Sequence, residues 1–155
     1  MASPAPSPVQ KTILVIDDQP FFINMQQSLL KRHGYRVLTA GNGAEGLAEA
    51  KKHNPDLILL DIEMPVMDGI TTCAKLREDP ALKHIPVIIL TATQDKKLNE
   101  KAFKAGAEVT ILKSMSGERL VNMLRITLER ANPSAQPDPV RPPSLPDSPD
   151  TQWRR

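Results

Sequence analysis

The chain has 155 residues, a formal net charge of +2 and one cysteine, and its length fits a single domain of ordinary size. One cysteine excludes an intramolecular disulfide, and the nearly balanced charge gives no support to a nucleic-acid-binding surface. The N-terminus lacks the apolar segment of a signal peptide, and no apolar run is long enough to cross a bilayer. We therefore expect a cytoplasmic protein that does not bind membranes or nucleic acids.

The distribution of proline divides the chain into three parts. Of the 15 prolines, three lie in the first ten residues and seven lie between Pro133 and Pro149. Such a composition is typical of disordered segments. The sequence predicts a disordered leader over residues 1–10, a folded unit over residues 11–131 and a Pro-rich disordered tail over residues 132–155.

The first predicted strand spans residues 11–18, where four apolar residues lead to Asp17 and Asp18. A helix follows. It begins at Pro20, which suits the first helical turn, and ends at Gly34, which suits the position just beyond a helix. Its apolar residues recur at a four-residue spacing, which predicts one apolar face. These residues are Phe21, Met25 and Leu29, and Phe22 and Leu30 lie beside them.

A short strand over residues 35–39 precedes the second predicted helix. Asn42, with Glu45 three residues later, resembles a capping box at the start of that helix, and Pro55 stops it. The residues predicted to lie on its inner side are Leu47, Ala48 and Ala50.

The third predicted strand, over residues 57–61, is the most informative part of the chain. Four consecutive apolar residues lead directly into the carboxylate of Asp61, which suits a parallel strand covered on both faces. Ligands of open α/β sheets bind at the carboxyl ends of such strands. Taken alone, Asp61 could also cap a turn, because turn residues follow at 64–65 and 68–69 before a helix over residues 68–79.

Two further strands end in polar residues. The segment 86–90 leads to Thr91, and the segment 109–112 leads to Lys113. Both segments are apolar and short, as buried strands of a parallel sheet are.

The last two predicted helices follow these strands. Either Thr93 or Asp95 caps the first helix, which Gly106 closes, and Ser116 caps the second. The first helix carries a basic stripe that we interpret as a solvated face, with a docking surface for an acidic partner as the alternative. The stripe consists of Lys97, Lys101 and Lys104.

Five strands alternate with five helices, a pattern that predicts an α/β fold with a five-stranded parallel sheet and helices on both faces. Right-handed crossovers favour the flavodoxin-like strand order 2-1-3-4-5. In that order the carboxyl ends of strands one, three, four and five are neighbours. The polar residues at these ends then converge on one crevice. They are Asp17, Asp18, Asp61, Thr91 and Lys113.

The chemistry of this crevice favours a metal ion. Three close carboxylates cannot all stay ionised unaided, because like charges raise one another's pKa values. A divalent cation removes this conflict, and oxygen ligands without nearby His or Cys select Mg²⁺. Together with a carboxylate nucleophile, a hydroxyl donor and a fixed positive charge, the metal suits phosphoryl transfer onto an aspartate.

Four sequence motifs contain these strand ends. They are Ile16-Asp17-Asp18, the run LDIEMPVMDG from Leu60 to Gly69, Leu90-Thr91-Ala92, and Gly106-Ala107 followed by Lys113. In combination they resemble the receiver domains of two-component response regulators, over nearly all of residues 11–131.

The resemblance implies a role for each polar residue. Asp61 would accept a phosphoryl group from a histidine kinase or a phosphotransfer protein. Asp18, Asp61 and the backbone carbonyl of Glu63 would bind Mg²⁺, and Asp17 would act largely through metal-bound water. The residues that would hold the phosphoryl oxygens are Thr91 and Lys113.

The chain resembles the single-domain, chemotaxis-type members, whose output is the binding of another protein and which catalyse only their own phosphorylation and dephosphorylation. It departs from the family pattern at two positions. Ser114 stands where these domains usually have proline in a cis peptide, and Thr110 stands where they usually have a Tyr or Phe that swings inward on activation. A trans Lys113–Ser114 bond is expected, because a cis bond without proline costs about 2.5–4 kcal/mol. A modest switching response is also expected.

Other functions fit the sequence less well. An interaction module that has this fold but works without phosphorylation is the first alternative, and the intact acids, Thr91 and Lys113 argue against it. A phosphatase of the haloacid dehalogenase type needs a second Asp two residues after the nucleophile, where this chain has Glu63. A flavodoxin needs a hydroxyl-rich phosphate loop, whereas Asp17 and Asp18 would repel a phosphate at that position.

Overall fold

The computed structural model describes residues 10–64, 67–93 and 95–131. The predicted tail, the predicted leader apart from Gln10, and the predicted turn residue Pro65 lie outside the described residues. The strands are β1 (Thr12–Ile16), β2 (Arg36–Ala40), β3 (Leu57–Asp61), β4 (Val87–Thr91) and β5 (Val109–Leu112). The helices are α1 (Pro20–Arg32), α2 (Gly43–His53), α3 (Gly69–Glu78), α4 (Lys96–Lys104) and α5 (Gly117–Ala131).

The five strands form one parallel sheet in the order β2-β1-β3-β4-β5. This confirms the predicted α/β fold and its flavodoxin-like strand order. None of the helices in the described ranges is long and apolar enough to span a membrane. Every side chain of β3 and β4 is buried, which explains why these strands read as unbroken apolar runs.

Two hydrophobic clusters cover the two faces of the sheet. One contains buried residues of α2, α3 and α4, including Ala50, Leu76 and Ala102. The other contains buried residues of α1 and α5, including Leu30 and Leu124. The helices therefore close both faces and leave the carboxyl edge of the sheet as the place where polar side chains collect.

The predicted apolar face of α1 is wrong in part. Leu30 is buried as predicted, but Phe21 is 68% exposed and Met25 is 47% exposed, and Gln26 is buried instead. With 3.6 residues per turn, each four-residue step advances about 40° around the helix axis. A row at four-residue spacing therefore drifts away from one side, so only its last member, Leu29, turns toward the core.

The inner side predicted for α2 is also wrong at one position. Ala48 is exposed, whereas Ala50 is buried and Leu47 is partly buried. Gly43 and Gly46 take the remaining buried positions of this helix, because their small size lets it lie close to the sheet and to α3. Ala48 lies about 100° around the axis from Leu47, on the solvent side.

The predicted helix caps are confirmed, and one alternative is resolved. The Asn42 side chain accepts a hydrogen bond from the Glu45 N–H at 2.9 Å, and Glu45 accepts one in return from the Gly41 N–H at 2.9 Å. Asp95, rather than Thr93, caps α4, accepting from the backbone N–H groups of Lys97 and Leu98. The last cap is Ser116, whose hydroxyl accepts from the Arg119 N–H at 3.3 Å.

Arg77 joins the turn after α4 to the segment that follows α3. Its guanidinium donates to the carbonyl of Gly106 at 3.0 and 2.7 Å, and to the carbonyls of Lys83 and Ile85, each at 2.7 Å. Gly106 has a φ of +106°, and a Cβ there would meet the Arg77 side chain. Glycine is therefore required at this turn both for its backbone conformation and for the close approach of Arg77.

We expect Arg77→Met to lower the free energy of unfolding by about 2–4 kcal/mol, because three carbonyls lose a charged donor. Urea denaturation followed by circular dichroism measures this loss. Lys75→Met, on the exposed side of the same helix, is the matched control and is expected to change stability by less than about 0.5 kcal/mol. Equal effects of the two substitutions would contradict the role given to Arg77.

Candidate functional site

The predicted polar residues lie at one edge of the sheet. Asp17 and Asp18 follow β1, Asp61 ends β3, Thr91 ends β4, and Lys113 follows β5. The register aligns these ends, because Asp61 pairs with Leu90 and Thr91 pairs with Leu112. Five residues spread over almost a hundred positions of sequence are thus neighbours in space.

The three carboxylates form a compact cluster. One oxygen from each of Asp17, Asp18 and Asp61 lies within 4.8 Å of the others. Asp17 and Asp61 are buried, whereas Asp18 is exposed. The cluster therefore has one side that opens to solvent and one side that is closed by protein.

Lys113 provides the positive charge on the closed side. Its ammonium lies 3.1 Å from Asp17 Oδ2 and 3.3 Å from Asp61 Oδ1, and its side chain is 10% exposed. The Lys113 backbone N–H donates to the Thr91 carbonyl at 2.8 Å, which fixes the start of the side chain against β4. One lysine thus pairs with two acids.

The two oxygens of the Asp17 carboxylate differ in their hydrogen bonding. Its Oδ1 accepts a hydrogen bond from the Gln19 N–H at 3.0 Å. Its Oδ2 is buried and accepts no well-directed hydrogen bond, since the contact with Lys113 is an ion pair without hydrogen-bond alignment. A buried carboxylate oxygen in this condition has capacity for a further cationic partner.

Asp61 is the strongly perturbed acid of the cluster. The pKa of Asp61 is raised to about 6, first by burial of the carboxyl group and then by the charge of Asp17. The charge of Lys113 and the backbone N–H of Glu63 act in the opposite direction. The cluster therefore carries more negative charge than one lysine neutralises.

The donor set fits a hard divalent cation. It consists of carboxylate oxygens, without a His or Cys among the three residues, and oxygen-only sets of this kind suit Mg²⁺. Glu63 lines the same cavity as Asp61 and also a second cavity that contains Asp18. Its backbone lies beside Asp61 and forms a hydrogen bond with that carboxyl group.

The loop after Asp61 folds tightly back on β3. The Gly69 N–H donates to the Ile62 carbonyl at 2.9 Å, and a Cβ at Gly69 would collide with the Asp61 carbonyl. Asp68 then caps α3 by accepting from the Thr71 N–H at 2.8 Å. The glycine of the motif therefore serves the close approach of two backbone segments.

A cavity of about 460 Å³ opens beside Asp61. This is large enough for a phosphoryl group, and it contains both the acid and the lysine. Phe22 on α1 forms part of its wall, a contribution that the spacing of apolar residues did not indicate. The complete lining is Gln19, Phe22, Asp61, Glu63, Ala92, Lys113 and Ser114.

Thr91 is the predicted site residue whose side chain faces another direction. Its hydroxyl donates to the Thr93 carbonyl at 3.1 Å and accepts from the Thr93 N–H at 3.3 Å. It lines a separate cavity of about 480 Å³ together with Thr110 and Ser114. The Lys113–Ser114 bond is trans, as expected, since the described residues contain no cis peptide.

The family model described as the response regulator receiver domain matches residues 13–125. The polar-differentiation response regulator DivK of Brucella anthropi is 33% identical over 115 residues, which cover 74% of this chain and 94% of that protein.

Two further similar proteins extend the comparison. The response regulator PleD of Caulobacter vibrioides is 37% identical over 113 residues, which cover 73% of this chain and 25% of that protein. The solved structure of the chemotaxis protein CheY4 of Vibrio cholerae matches with a TM-score of 0.74 and 29% identity, covering 77% of this chain and 99% of that one.

The perturbed acid cluster predicts a pH-dependent stability. The pKa of Asp61 is raised from 3.8 to about 6 in the folded protein, so folding disfavours its ionised form. Wild-type stability is therefore lost as the pH rises from about 4 to above about 6. In the presence of a chelator, we expect Asp61→Asn to raise the free energy of unfolding by about 1–3 kcal/mol at neutral pH, and by nothing below about pH 4.

The measurement is urea denaturation of both proteins across this pH range. Asp56→Asn is the matched control, because Asp56 precedes the same strand and accepts a backbone hydrogen bond from Thr12 that asparagine can also accept. A difference between wild type and Asp61→Asn that does not vary with pH would contradict the prediction.

Proposed function

The chain belongs to the family of response regulator receiver domains, and on this basis we propose that Asp61 accepts a phosphoryl group from a histidine kinase or a phosphotransfer protein. Receiver domains are signalling domains of two-component systems, and they interact with these two classes of protein. The observation that carries the proposal is the position of Asp61 at the end of β3, within 4.8 Å of two other acids and 3.3 Å from Lys113.

The proposed metal ligands are the carboxylates of Asp17, Asp18 and Asp61 and the backbone carbonyl of Glu63. Bound Mg²⁺ would neutralise these acids and the charge of the entering phosphoryl group. The compact cluster and the unsatisfied Asp17 Oδ2 support this assignment. Because Asp18 is exposed, the cluster is accessible from solvent on that side.

In the proposed reaction an Asp61 oxygen attacks the phosphorus of the donor. A bond forms between that oxygen and phosphorus, the bond between phosphorus and the donor's histidine nitrogen breaks, and the imidazole leaves with the electron pair. The Lys113 ammonium lies where it can stabilise the negative charge on the transferred group. The same groups would serve the later hydrolysis of the acyl phosphate, in which a water oxygen attacks phosphorus, the bond to the Asp61 oxygen breaks with the electron pair staying on the carboxylate, and inorganic phosphate leaves.

Thr91 is the proposed link between phosphorylation and shape. To donate its O–H to a phosphoryl oxygen, Thr91 must give up the hydrogen bond that it donates to the Thr93 carbonyl. The loop between β4 and α4 would then move, because Thr93 loses the partner that holds it. Thr110 contributes only a small side chain next to this cavity, so we propose that the response is concentrated in the loop and that its output is the binding of another protein.

We further propose that residues 11–131 are sufficient for this function in the cytoplasm, where the donors of two-component systems carry their phosphoryl groups. The match of the family model to residues 13–125 and the range of the ten elements support this boundary.

We expect acetyl phosphate to label the protein on Asp61 only when Mg²⁺ is present. Mass spectrometry should detect one added phosphoryl group on the wild-type protein and none in excess chelator. Asp61→Asn should take no label, whereas Asp56→Asn at the other end of β3 should be labelled like wild type. Labelling of Asp61→Asn would contradict the proposal, and an unlabelled wild type would favour the interaction module that works without phosphorylation.

The proposed role of Thr91 predicts where the structure responds. Amide NMR shifts on addition of beryllofluoride, a mimic of the phosphoryl group, should concentrate in residues 91–93, 95–98 and 113–117. Thr91→Ala should still bind the mimic but lose most of the change in the loop. Large changes centred on Thr110 and α5, with the loop unaffected, would show that the signal takes another route.

A further inference from the structure

The ring of Phe22 contacts the lysine of the acid cluster. The Lys113 ammonium lies over its ring, 4.2 Å from the ring centre. Phe22 is partly buried in the first turn of α1 and lines the Asp61 cavity. The ring therefore contacts the same charged group that pairs with Asp17 and Asp61.

The Lys113 ammonium needs more than its two carboxylates to stay in place. A lysine head group ends a flexible four-carbon chain and behaves as a compact point charge with three donors. Two carboxylates face it at 3.1 and 3.3 Å, and these distances alone do not favour Asp61 over Asp17. A third contact limits the positions that the ammonium can adopt.

The negative face of an aromatic ring suits that third contact. A ring attracts an ammonium within about 6 Å of its centre, more strongly where water is excluded. The Lys113 side chain is 10% exposed, so the ring replaces water at a site where the charge would otherwise lose its solvation. Because the ring is apolar, it does so without competing with the phosphoryl group as a hydrogen-bond acceptor.

The position of Phe22 is itself well defined. Pro20 begins α1 directly after the Asp17-Asp18-Gln19 segment, so one short stretch of chain supplies both a carboxylate and a ring to Lys113. The Phe21 ring meets the Phe22 ring edge to face, with centres 5.6 Å apart and planes at 76°. The face of the Phe22 ring lies toward the lysine.

We propose that Phe22 is a positioning residue that holds the Lys113 ammonium between Asp17 and Asp61 at the Asp61 cavity. The inference rests on the proposed phosphorylation of Asp61, because it gives Phe22 a role in that reaction. Phe22 acts through Lys113 and does not itself contact the transferred group. Its effect is electrostatic, so it depends on the charge distribution of the ring as well as on its shape.

A series of fluorinated phenylalanines at position 22 tests this directly. Fluorination weakens the negative face of the ring stepwise while nearly preserving its size, so folding and shape are maintained. The rate constant for labelling by acetyl phosphate at saturating Mg²⁺ should fall with each added fluorine, by about 3- to 10-fold across the series. A flat series would overturn the proposal.

Conventional variants and a spectroscopic signal complete the test. Phe22→Leu should lower the rate constant by about 3- to 30-fold, and Phe22→Tyr should restore most of it. Phe21→Leu is the matched control, because Phe21 is exposed and does not carry the lysine contact. Its rate constant should stay within about twofold of the wild-type value.

The methylene protons next to the Lys113 ammonium should show an upfield ring-current shift in the wild-type protein. Phe22→Leu should remove this shift, and Phe21→Leu should retain it.

These measurements test the phosphorylation of Asp61 and the positioning role of Phe22 separately. A wild type that takes no label would overturn the proposed function and this role of Phe22 with it. A labelled wild type with a flat fluorine series, or with no ring-current shift at Lys113, would overturn only the role of Phe22. A graded series together with the ring-current shift supports both.

Discussion

Lys113 shares one ammonium group between two buried carboxylates, at 3.1 Å from Asp17 and 3.3 Å from Asp61, and the carboxyl edge of the sheet depends on this sharing. Two acids at the ends of adjacent strands repel each other, and a single lysine cannot neutralise both. The remaining imbalance shows in the raised pKa of Asp61, which burial causes first and Asp17 reinforces. The site is thus ready for further positive charge, and the ionisation of Asp61 at neutral pH lowers the stability of the fold.

The sequence contained enough information for the fold and for the convergence of the polar residues. Unbroken apolar strands require cover on both faces, and a parallel sheet places all carboxyl ends on one edge, so the position of Asp61 follows from topology alone. The rotation of α1 about its own axis could not be predicted from the sequence, because a row of three residues at four-residue spacing fits several helix orientations. Phe21 was predicted to lie on the apolar face, and it is exposed. The direction of the Thr91 hydroxyl and the ring contact of Phe22 depend on rotamers and tertiary packing, which no spacing in the chain encodes.

Two departures from the usual family pattern have visible structural correlates. With Thr110 in β5, a cavity of about 480 Å³ lies between the loop after β4 and the start of α5. With Ser114 after the lysine, the peptide bond is trans, and Ser114 lines both this cavity and the one beside Asp61. The two cavities therefore share a wall, and the loop that separates them is joined to the sheet through Thr91. Small polar side chains occupy the region in which the resemblance implies a large ring.

The hydrogen bonds of Arg77 give α4 an unequal attachment at its two ends. The turn after the helix is fixed, because the guanidinium holds the Gly106 carbonyl and the Cys73 thiol donates to Ala105. The other end begins at Asp95, next to the loop that Thr91 holds. The helix can therefore rotate as a rigid body about its C-terminal end, which acts as the hinge. A displacement of the loop moves the first turn of α4 through the longest arc and leaves the last turn nearly stationary.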